Sequence, residues 1–542
     1  MLPPEIDLQI TLSPEPSSAP VVRVTLAARP DGAPLTEWRG AGLLDLRGKP
    51  EATDDQGPVA VTASESNGVT LLTLARPASG TTWLSYTVGA KLPAYPDLPE
   101  IAVDPDRFEA AGEALLVVPA AFEDRPVRAV IRTETDEIGA RELVSAATSF
   151  GHGHRVEATA RGADLRGGFY LAGLLGLGTF RAPEGNDDAA WLGYTAFDPR
   201  PVFADMAGLR TALKLIFRSP DADKVTFLFV SDTRPEGTHV VTRRPRSVLA
   251  RIGVQERWSA PLRIAVGAAV VHGWIGSRLW VGPSEPAREA EAYWFTEGVT
   301  RNLARELLFR YGLISPADAA EEVEGLAGVV ATSPLTRATN EELARRPKVP
   351  IPLLVARGAL YALRVDALMR AKKKSARTLD NVLSELYALA ATGGKPLPTS
   401  AWVDAVVKEL GEGERAAFKD AVELGKPFDL PDTALGPCFR RVTRTYVAFD
   451  LGFDEERTRL GATRKIAGLV KGGPAEKAGV REGDELVSLY AGRRSASEPV
   501  RLTISRAGEE KTFTYKPEGK KVKGIGFDRR KDVGDDACIP TL

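Results

Sequence analysis

The chain has 542 residues, which is too many for a single hydrophobic core, so about two to four domains are expected. Its 71 basic and 72 acidic residues provide no basic face of the kind that binds nucleic acid or an anionic membrane. No apolar run reaches the roughly 18–20 residues that a membrane-spanning helix needs. The first residues lack the pattern of an export signal, which indicates a cytoplasmic protein or one whose signal has been removed.

The first part of the chain has the pattern of β-strands. Ile6–Leu12 and Val21–Leu26 alternate apolar and polar residues with a period of two. Turns rich in Pro, Gly and Asp follow, and further short strands are expected to about residue 160. The pattern predicts a β-rich N-terminal domain over residues 1–165, most simply a β-sandwich.

The middle of the chain changes from mixed to helical. Val225–Val230 predicts a buried strand, and Arg263–Trp274 predicts a helix rich in small residues. Ala287–Tyr311 is expected to be a long amphipathic helical stretch that breaks around Glu297 and Gly298. After Pro352 the helical period is strong, in the segments Leu354–Arg370, Thr378–Ala390, Ser400–Leu410 and Gly413–Glu423.

Two short motifs carry the chemical signal. Residues 268–274 read A-A-V-V-H-G-W, and residues 294–300 read W-F-T-E-G-V-T. On a zinc-peptidase helix, H-E-x-x-H presents two imidazoles to one metal, and its Glu takes a proton from the metal-bound water. A third ligand, commonly a Glu on a following helix, completes the protein part of such a site.

Only part of that ligand set is present. His272 stands where the second imidazole would be, and Glu297 stands where the third ligand would be. Ala268 and Ala269 occupy the positions of the first imidazole and the general base. Alanine offers neither a lone pair to a metal nor a group that moves a proton. The sequence therefore predicts a vestigial metal site with no catalytic residue.

These motifs resemble those of the glycyl-aminopeptidase family of zinc peptidases, bacterial relatives of thermolysin. The chain keeps His272 and Trp274 of the first family motif and most of the second. Pro235–His239 and Val355–Gly358 resemble two further family motifs, without their Glu and Tyr. The resemblance implies a multidomain α+β protein: an N-terminal β-sandwich, a thermolysin-like, mainly helical middle domain over residues 166–432, and a C-terminal PDZ domain.

The last part of the chain carries the PDZ resemblance. Residues 472–487 read G-G-P-A-E-K-A-G-V-R-E-G-D-E-L-V, similar to a bacterial PDZ signature, and the domain is assigned to residues 438–542. Leu502–Ser505 and Lys511–Tyr515 are expected to form a hairpin. By the resemblance, the loop that captures a peptide's terminal carboxylate would be formed by Leu451, Gly452 and Phe453.

The two cysteines, Cys438 and Cys538, bracket this domain. Since the chain ends of a PDZ fold lie close together, the resemblance implies a disulfide, with two unrelated thiols as the alternative. A disulfide would place the protein in the periplasm or cell envelope. A linker rich in Pro and Gly, residues 426–437, precedes the domain.

The preferred hypothesis is a non-catalytic peptidase relative that needs no cofactor. It would bind peptides or a protein's C-terminus through the cleft and the PDZ domain. An active zinc metallo-aminopeptidase with a rearranged site of His272, Glu297 and His239 is the alternative, and a purely structural protein is the third. If Glu297 is buried it needs a partner, for which Arg278, Arg301 or a metal are candidates.

Overall fold

The computed structural model describes residues 2–538 except 4, 31, 33, 91–99, 140–142, 183–184, 220–223, 373–376, 394–395, 461–462, 492–493 and 535–536. The chain divides into two compact units. The first is formed from residues 1–211 and 221–257, and the second from residues 212–220 and 258–542.

The first unit is built mainly of strands, as the alternating sequence pattern predicts. They are β1 Leu8–Glu15, β2 Val21–Ala28, β3 Glu37–Arg39, β4 Glu51–Asp54, β5 Gly57–Val59, β6 Val61–Ser66, β7 Val69–Leu74, β8 Thr82–Gly89, β9 Ile101–Asp104, β10 Arg107–Ala111, β11 Val118–Pro119, β12 Pro126–Thr133, β13 Ser145–Thr148, β14 Gly151–His152, β15 Arg155–Arg161, β16 Phe169–Gly173, β17 Leu175–Ala182, β18 Gly185–Leu192, β19 Thr226–Asp232, β20 Val240–Arg244 and β21 Ser247–Gly253.

Four sheets organise these strands. A seven-stranded sheet has the order β15-β12-β1-β2-β8-β4-β5, a four-stranded sheet β11-β3-β7-β6, and a five-stranded sheet β14-β13-β16-β10-β9. Their inward side chains share one hydrophobic core, in which Leu8, Ile10 and Leu12 alternate with half-buried neighbours along β1. Two short helices, α1 Gly112–Leu115 and α2 Gly162–Arg166, and a 3₁₀ turn, Ala120–Phe122, connect them.

The fourth sheet contains the buried strand that the sequence predicts. Its order is β17-β18-β19-β21-β20, and the pairs β18–β19 and β19–β21 are parallel. All seven residues of β21 are buried, and six of the seven residues of β19. Strands that are covered on both faces have continuous apolar runs rather than alternation, which explains the V-T-F-L-F-V pattern of residues 225–230. The helix α3, Pro199–Phe217, lies between β18 and β19 in the chain.

The second unit is mainly helical, as the sequence predicts for this part of the chain. Its α-helices are α4 Ala260–Val271, α5 Thr300–Arg310, α6 Pro316–Thr332, α7 Asn340–Ala344, α8 Ile351–Ala371, α9 Leu379–Gly393, α10 Thr399–Leu410, α11 Gly413–Phe418, α12 Glu455–Leu460 and α13 Pro474–Ala478. None of the described helices is both long and apolar enough to cross a bilayer.

Capping residues define the start of α6. Ser315 accepts a hydrogen bond from the backbone N–H of Asp318, and the Asp318 carboxylate accepts one from the Ser315 N–H. Pro316 occupies the first turn, where its missing N–H has no partner to lose. This reciprocal arrangement satisfies two of the free N–H groups at a helix N-terminus.

The stretch Ala287–Tyr311, expected as one interrupted helix, is built from three helix types in succession. A 3₁₀ helix, Pro286–Ala292, is followed by a π-helical segment, Trp294–Val299, and then by α5. The helix type changes at Thr300, close to the predicted break at Glu297 and Gly298. The wider π turn is formed by the W-F-T-E-G-V motif itself.

The last part of the second unit is a β-rich module. Its strands are β22 Phe439–Phe449, β23 Glu485–Tyr490, β24 Val500–Arg506, β25 Glu509–Tyr515 and β26 Glu518–Arg529. The long strands β22 and β26 pair with each other, while β23, β24 and β25 form a separate antiparallel sheet. The predicted hairpin is therefore confirmed as β24–β25. The hydrophobic core of the module includes Leu451, Phe453 and Ala475.

Candidate functional site

His272 lies at the C-terminal end of α4. Its side chain is 17% exposed, and its Nδ1 is 3.1 Å from the carbonyl oxygen of Ile275. Because a carbonyl oxygen only accepts hydrogen bonds, Nδ1 carries the proton in this contact. The ring is thereby fixed with Nε2 directed away from its own backbone, which is the orientation that metal-binding imidazoles commonly have.

Nε2 of His272 lies 2.9 Å from Oε2 of Glu297. The structure therefore brings together the two residues that the sequence motifs single out, although 25 positions separate them. Since Nδ1 already donates to Ile275, this second contact requires a proton between the ring and the carboxylate. The two side chains satisfy each other as a hydrogen-bonded pair.

Glu297 is held in place by the aromatic residues of its own motif. Trp294 packs edge-on against Trp402 and Phe418, with ring centroids 5.8 and 5.0 Å away. Phe295 packs against the same Trp402 at 5.4 Å. These contacts bury one side of the π segment, while the Glu297 side chain remains 39% exposed. Its carboxylate is thus fixed in position and open to solvent.

A close helix crossing explains why glycine follows Glu297. A Cβ atom on Gly298 would lie 2.7 Å from the carbonyl oxygen of Val355 in α8. A Cβ atom on Gly358 would lie 1.7 Å from the carbonyl oxygen of Trp294. Both distances are shorter than any normal contact. The V-A-R-G sequence of α8 therefore supports the π segment by allowing its backbone to approach.

The substitution Gly358→Ala tests this support. We expect it to destabilise the protein by about 3 kcal/mol, since the new methyl group must displace the backbone of Trp294. Gly325→Ala in α6 is the matched control, because a Cβ atom there meets nothing within 4 Å, and it should be stabilising by about 0.5–1 kcal/mol. Urea unfolding measures both variants. Equal free energies of unfolding would contradict the close crossing.

The adjoining Arg357 anchors α8 from its other side. Its guanidinium is buried and donates to Asn340 Oδ1 and to the carbonyl oxygens of Thr336 and Ala338. Burial lowers the pKa of this guanidinium to about 10. The motif arginine is therefore structural, binding α8 to the segment between α6 and α7.

The two alanines occupy the preceding turn of α4. Ala268 is partly exposed, and its carbonyl oxygen accepts the backbone N–H of His272. Ala269 is 5% exposed. Neither side chain has a hydrogen-bond donor or acceptor. The turn of α4 that precedes His272 therefore offers no polar side chain at these two positions.

A catalytic zinc ion does not fit the residues present. Such sites hold the metal with three protein ligands and keep a fourth position for water. Here two donors exist, and they are hydrogen-bonded to each other. Within the described ranges, no three His, Cys, Asp or Glu side chains are grouped closely enough to hold a metal ion.

The other predicted partners of this site bind elsewhere. Arg301 forms an ion pair with Glu322 in α6, with Nε and Nη2 both donating. Arg278 contacts the hydroxyl groups of Ser219 and Tyr387. Arg301, one of the candidate partners, therefore pairs with Glu322, and the partner observed for Glu297 is His272.

His239, the third member of the alternative metal set, belongs to the first unit. Its Nδ1 lies 3.1 Å from Oε1 of Glu256, whose other oxygen accepts the backbone N–H of Gly237. Glu256 is buried, so the pair satisfies a carboxylate that would otherwise be costly to bury. This contact gives His239 a structural role.

The loop Leu451-Gly452-Phe453 lies against the start of α13. Gly452 has a φ of +81°, and a Cβ atom there would lie 2.8 Å from the backbone nitrogen of Ala475. Its N–H donates to the Asp450 carboxylate at 2.8 Å, and the Leu451 carbonyl accepts the Tyr515 hydroxyl. A carboxylate of the chain itself therefore contacts one N–H of the predicted carboxylate-binding loop. The helix α12 begins two residues after Phe453.

Strands β22 and β26 attach this module to the helices of the second unit. Glu324 of α6 accepts hydrogen bonds from Arg444 and from the backbone N–H of Phe527. The Tyr446 ring covers Gly328, where a Cβ atom would lie 3.0 Å from it. Cys438 and Cys538 form a disulfide that joins the two ends of the module.

No family profile matches this chain, and no curated protein matches it in sequence. Its fold does match solved structures. An aminopeptidase N family protein from Idiomarina loihiensis superposes over 98% of this chain and 99% of its own, with a TM-score of 0.65 and 16% identity. An M1 zinc metallopeptidase from Deinococcus radiodurans, bound to a Tyr-Ser-Ala substrate, covers 79% of this chain and 96% of its own, with a TM-score of 0.50 and 17% identity.

The fold of this chain is similar to the folds of these two aminopeptidase-type proteins. At these low identities the likeness concerns the fold alone, and it confirms a mixed α+β, multidomain architecture. The pair His272–Glu297 is the candidate site, because it joins the two peptidase-like motifs in space.

Proposed function

We propose that this chain is a non-catalytic relative of the M1 zinc aminopeptidases that binds peptides or a protein partner. The hydrogen bond between His272 and Glu297 carries the proposal, because each of the two remaining ligand positions satisfies the other. Ala268 and Ala269 supply neither a metal ligand nor a general base. Peptide hydrolysis by a metal-activated water requires both.

The finer assignments rest on the same motifs and belong to the proposal. We infer a relation to the glycyl-aminopeptidase family, with a thermolysin-like domain over residues 166–432 and a PDZ domain over residues 438–542. Support comes from α13, which Gly479 closes in the left-handed conformation with a φ of +101°. In this assignment a peptide carboxylate would replace Asp450 at the N–H of Gly452.

Glu297 supplies the feature that would recognise a peptide at the candidate site. Its Oε1 has no hydrogen-bond partner among the residues that the structure describes, and the side chain is 39% exposed. A carboxylate with a free oxygen attracts the ammonium group of a peptide N-terminus. The tripeptide bound to the M1 metallopeptidase of Deinococcus radiodurans supports peptides as the ligand class.

The test measures binding and cleavage together. We expect Tyr-Ser-Ala to bind in calorimetry and to remain intact when zinc is added, as followed by chromatography. N-acetylation of the tripeptide, or the substitution Glu297→Gln, should weaken binding by about 10-fold or more, since each removes a charged hydrogen bond. Glu285→Gln is the matched control, because that exposed carboxylate precedes the 3₁₀ helix.

Two outcomes would overturn the proposal. Zinc-dependent cleavage that Glu297→Gln abolishes would establish the alternative, an active metallo-aminopeptidase. Binding that is indifferent to both the acetyl group and Glu297→Gln would remove the candidate site as the place of recognition.

A further inference from the structure

A large cavity lies in the second unit, apart from the candidate site. Its volume is about 1090 Å³, and its walls come from α5, α8, α9, the end of α3 and the segment that leads to Cys438. Neither His272 nor Glu297 lines it. The volume is similar to the upper range for small-molecule sites, roughly 300–1,000 Å³.

One wall of the cavity is rich in arginine. Among the described residues, five arginines and two carboxylates line it, and the arginines are Arg218, Arg305, Arg310, Arg370 and Arg377. The carboxylate of Glu306 is shared by three of them: Arg305, Arg310 and Arg370. One carboxylate cannot use all the donors of three guanidinium groups, since each guanidinium carries five.

Two of these arginines have unused donors. Arg305 is 2% exposed and forms its hydrogen bonds, to Asn302 and Glu306, through Nη2 alone. Arg370 likewise contacts Glu306 and Asp366 only through Nη2. For both, Nε and Nη1 have no acceptor among the described residues. Burial raises the pKa of Asp366, the carboxyl that contacts Arg370 at 2.7 Å.

Part of the remaining lining is apolar, whereas Asp380, Asn381 and Ser384 of α9 are polar. Ile216, Phe309 and Leu435 line the cavity, and Leu215 and Tyr311 line it with exposed fractions of 72% and 47%. Large apolar side chains that remain this exposed beside a cavity are typical of a ligand-binding surface. The cavity therefore combines a cationic wall that has spare donors with a partly apolar lining.

We propose that this cavity binds an amphipathic organic anion, with a carboxylate or phosphate head on Arg305 and Arg370 and an apolar body against Leu215 and Phe309. A buried anion needs donors in the plane of a guanidinium group, which these two arginines offer. The apolar body adds affinity by leaving water. The site is independent of the proposed peptide binding.

The experiment titrates the full chain with decanoate, decyl phosphate and decanol, each below the concentration at which it aggregates. We expect decanoate or decyl phosphate to bind with a stoichiometry of one. Decanol, which has the same chain without the charge, should bind about 10-fold more weakly or worse. The tighter of the two anions identifies the head group.

Two substitutions locate the site. Arg370→Gln removes free donors from a partly exposed side chain, and Leu215→Glu places a negative charge at the mouth of the cavity. Each should weaken anion binding by about 10-fold or more. Leu389→Glu is the matched control, since Leu389 is 52% exposed and does not line the cavity. Should Arg370→Gln fail to fold, Leu215→Glu alone decides the question.

The proposal is overturned if decanol binds as tightly as the anions. It is also overturned if Leu215→Glu and Leu389→Glu have the same affinity as the original chain. Failure of these tests leaves peptide binding at Glu297 untouched, because the cavity and the candidate site share no lining residue.

Discussion

The double substitution Ala268→His with Ala269→Glu is expected to give this chain a stoichiometry of about one tightly bound zinc ion. A histidine at position 268 would stand four residues before His272 on the same face of α4. The Nδ1 of His272 is already engaged with Ile275, and its Nε2 already faces Glu297. One added imidazole would therefore complete a set of three ligands, and Ala268 is exposed enough to be enlarged.

The measurement is elemental analysis after dialysis without chelator, followed by competition with a zinc chelator. We expect zinc affinity to rise at least about 100-fold over the original chain, since losing even an outer-shell partner costs 10–100-fold. Ala265→His with Ala269→Glu is the control, because position 265 lies one helical turn too far from His272. Equal zinc retention by the two double variants would show that the helix register is wrong.

Local sequence patterns account for much of the fold. The period-two segments near the start become β1, which begins two residues and ends three residues later than predicted, and β2, which ends two residues later. The predicted hairpin becomes β24–β25, where Ala507 and Gly508 both have positive φ in the turn. These signals succeed because alternation and turn chemistry are set by neighbouring residues.

The elements that sequence reasoning missed depend on contacts between distant parts of the chain. The helix α6 was not predicted, although the capping pair Ser315 and Asp318 marks its start. The π segment could not be predicted, because its geometry follows from the approach of Gly358 to the Trp294 backbone. Helix type is decided there by tertiary packing rather than by local propensity.

The candidate site also has one feature that local sequence predicts and one that depends on tertiary contacts. The motifs were sufficient to single out His272 and Glu297, and the structure places them in direct contact. The partner of Glu297 does not follow from the motifs, because the charge of Arg301 is neutralised by a residue of α6. Glu322, which lies on that helix, binds Arg301 and leaves Glu297 to His272. An unpredicted element therefore changed the assignment of an ion pair.

Replacing Glu306 by glutamine is expected to destabilise the second unit by roughly 3 kcal/mol at neutral pH. Glu306 is 7% exposed and contacts Arg305, Arg310 and Arg370. Burial alone would raise the pKa of this carboxyl, but the three arginines outweigh burial and lower it from 4.5 to about 2. Glutamine keeps the shape of the side chain and removes the charge that neutralises them.

The pH dependence separates charge from shape. The pKa of Glu306 is lower in the folded state, so the unfolded chain takes up the proton first as the solution is acidified. The stabilisation is therefore complete above about pH 4.5 and is lost as the pH falls towards 2. Urea unfolding of the original chain and Glu306→Gln should differ by roughly 3 kcal/mol at pH 7 and converge at acid pH. Glu321→Gln, at an exposed position on α6, is the control and should match the original chain at every pH. If the difference for Glu306→Gln stays constant with pH, lost packing rather than lost charge destabilises the variant.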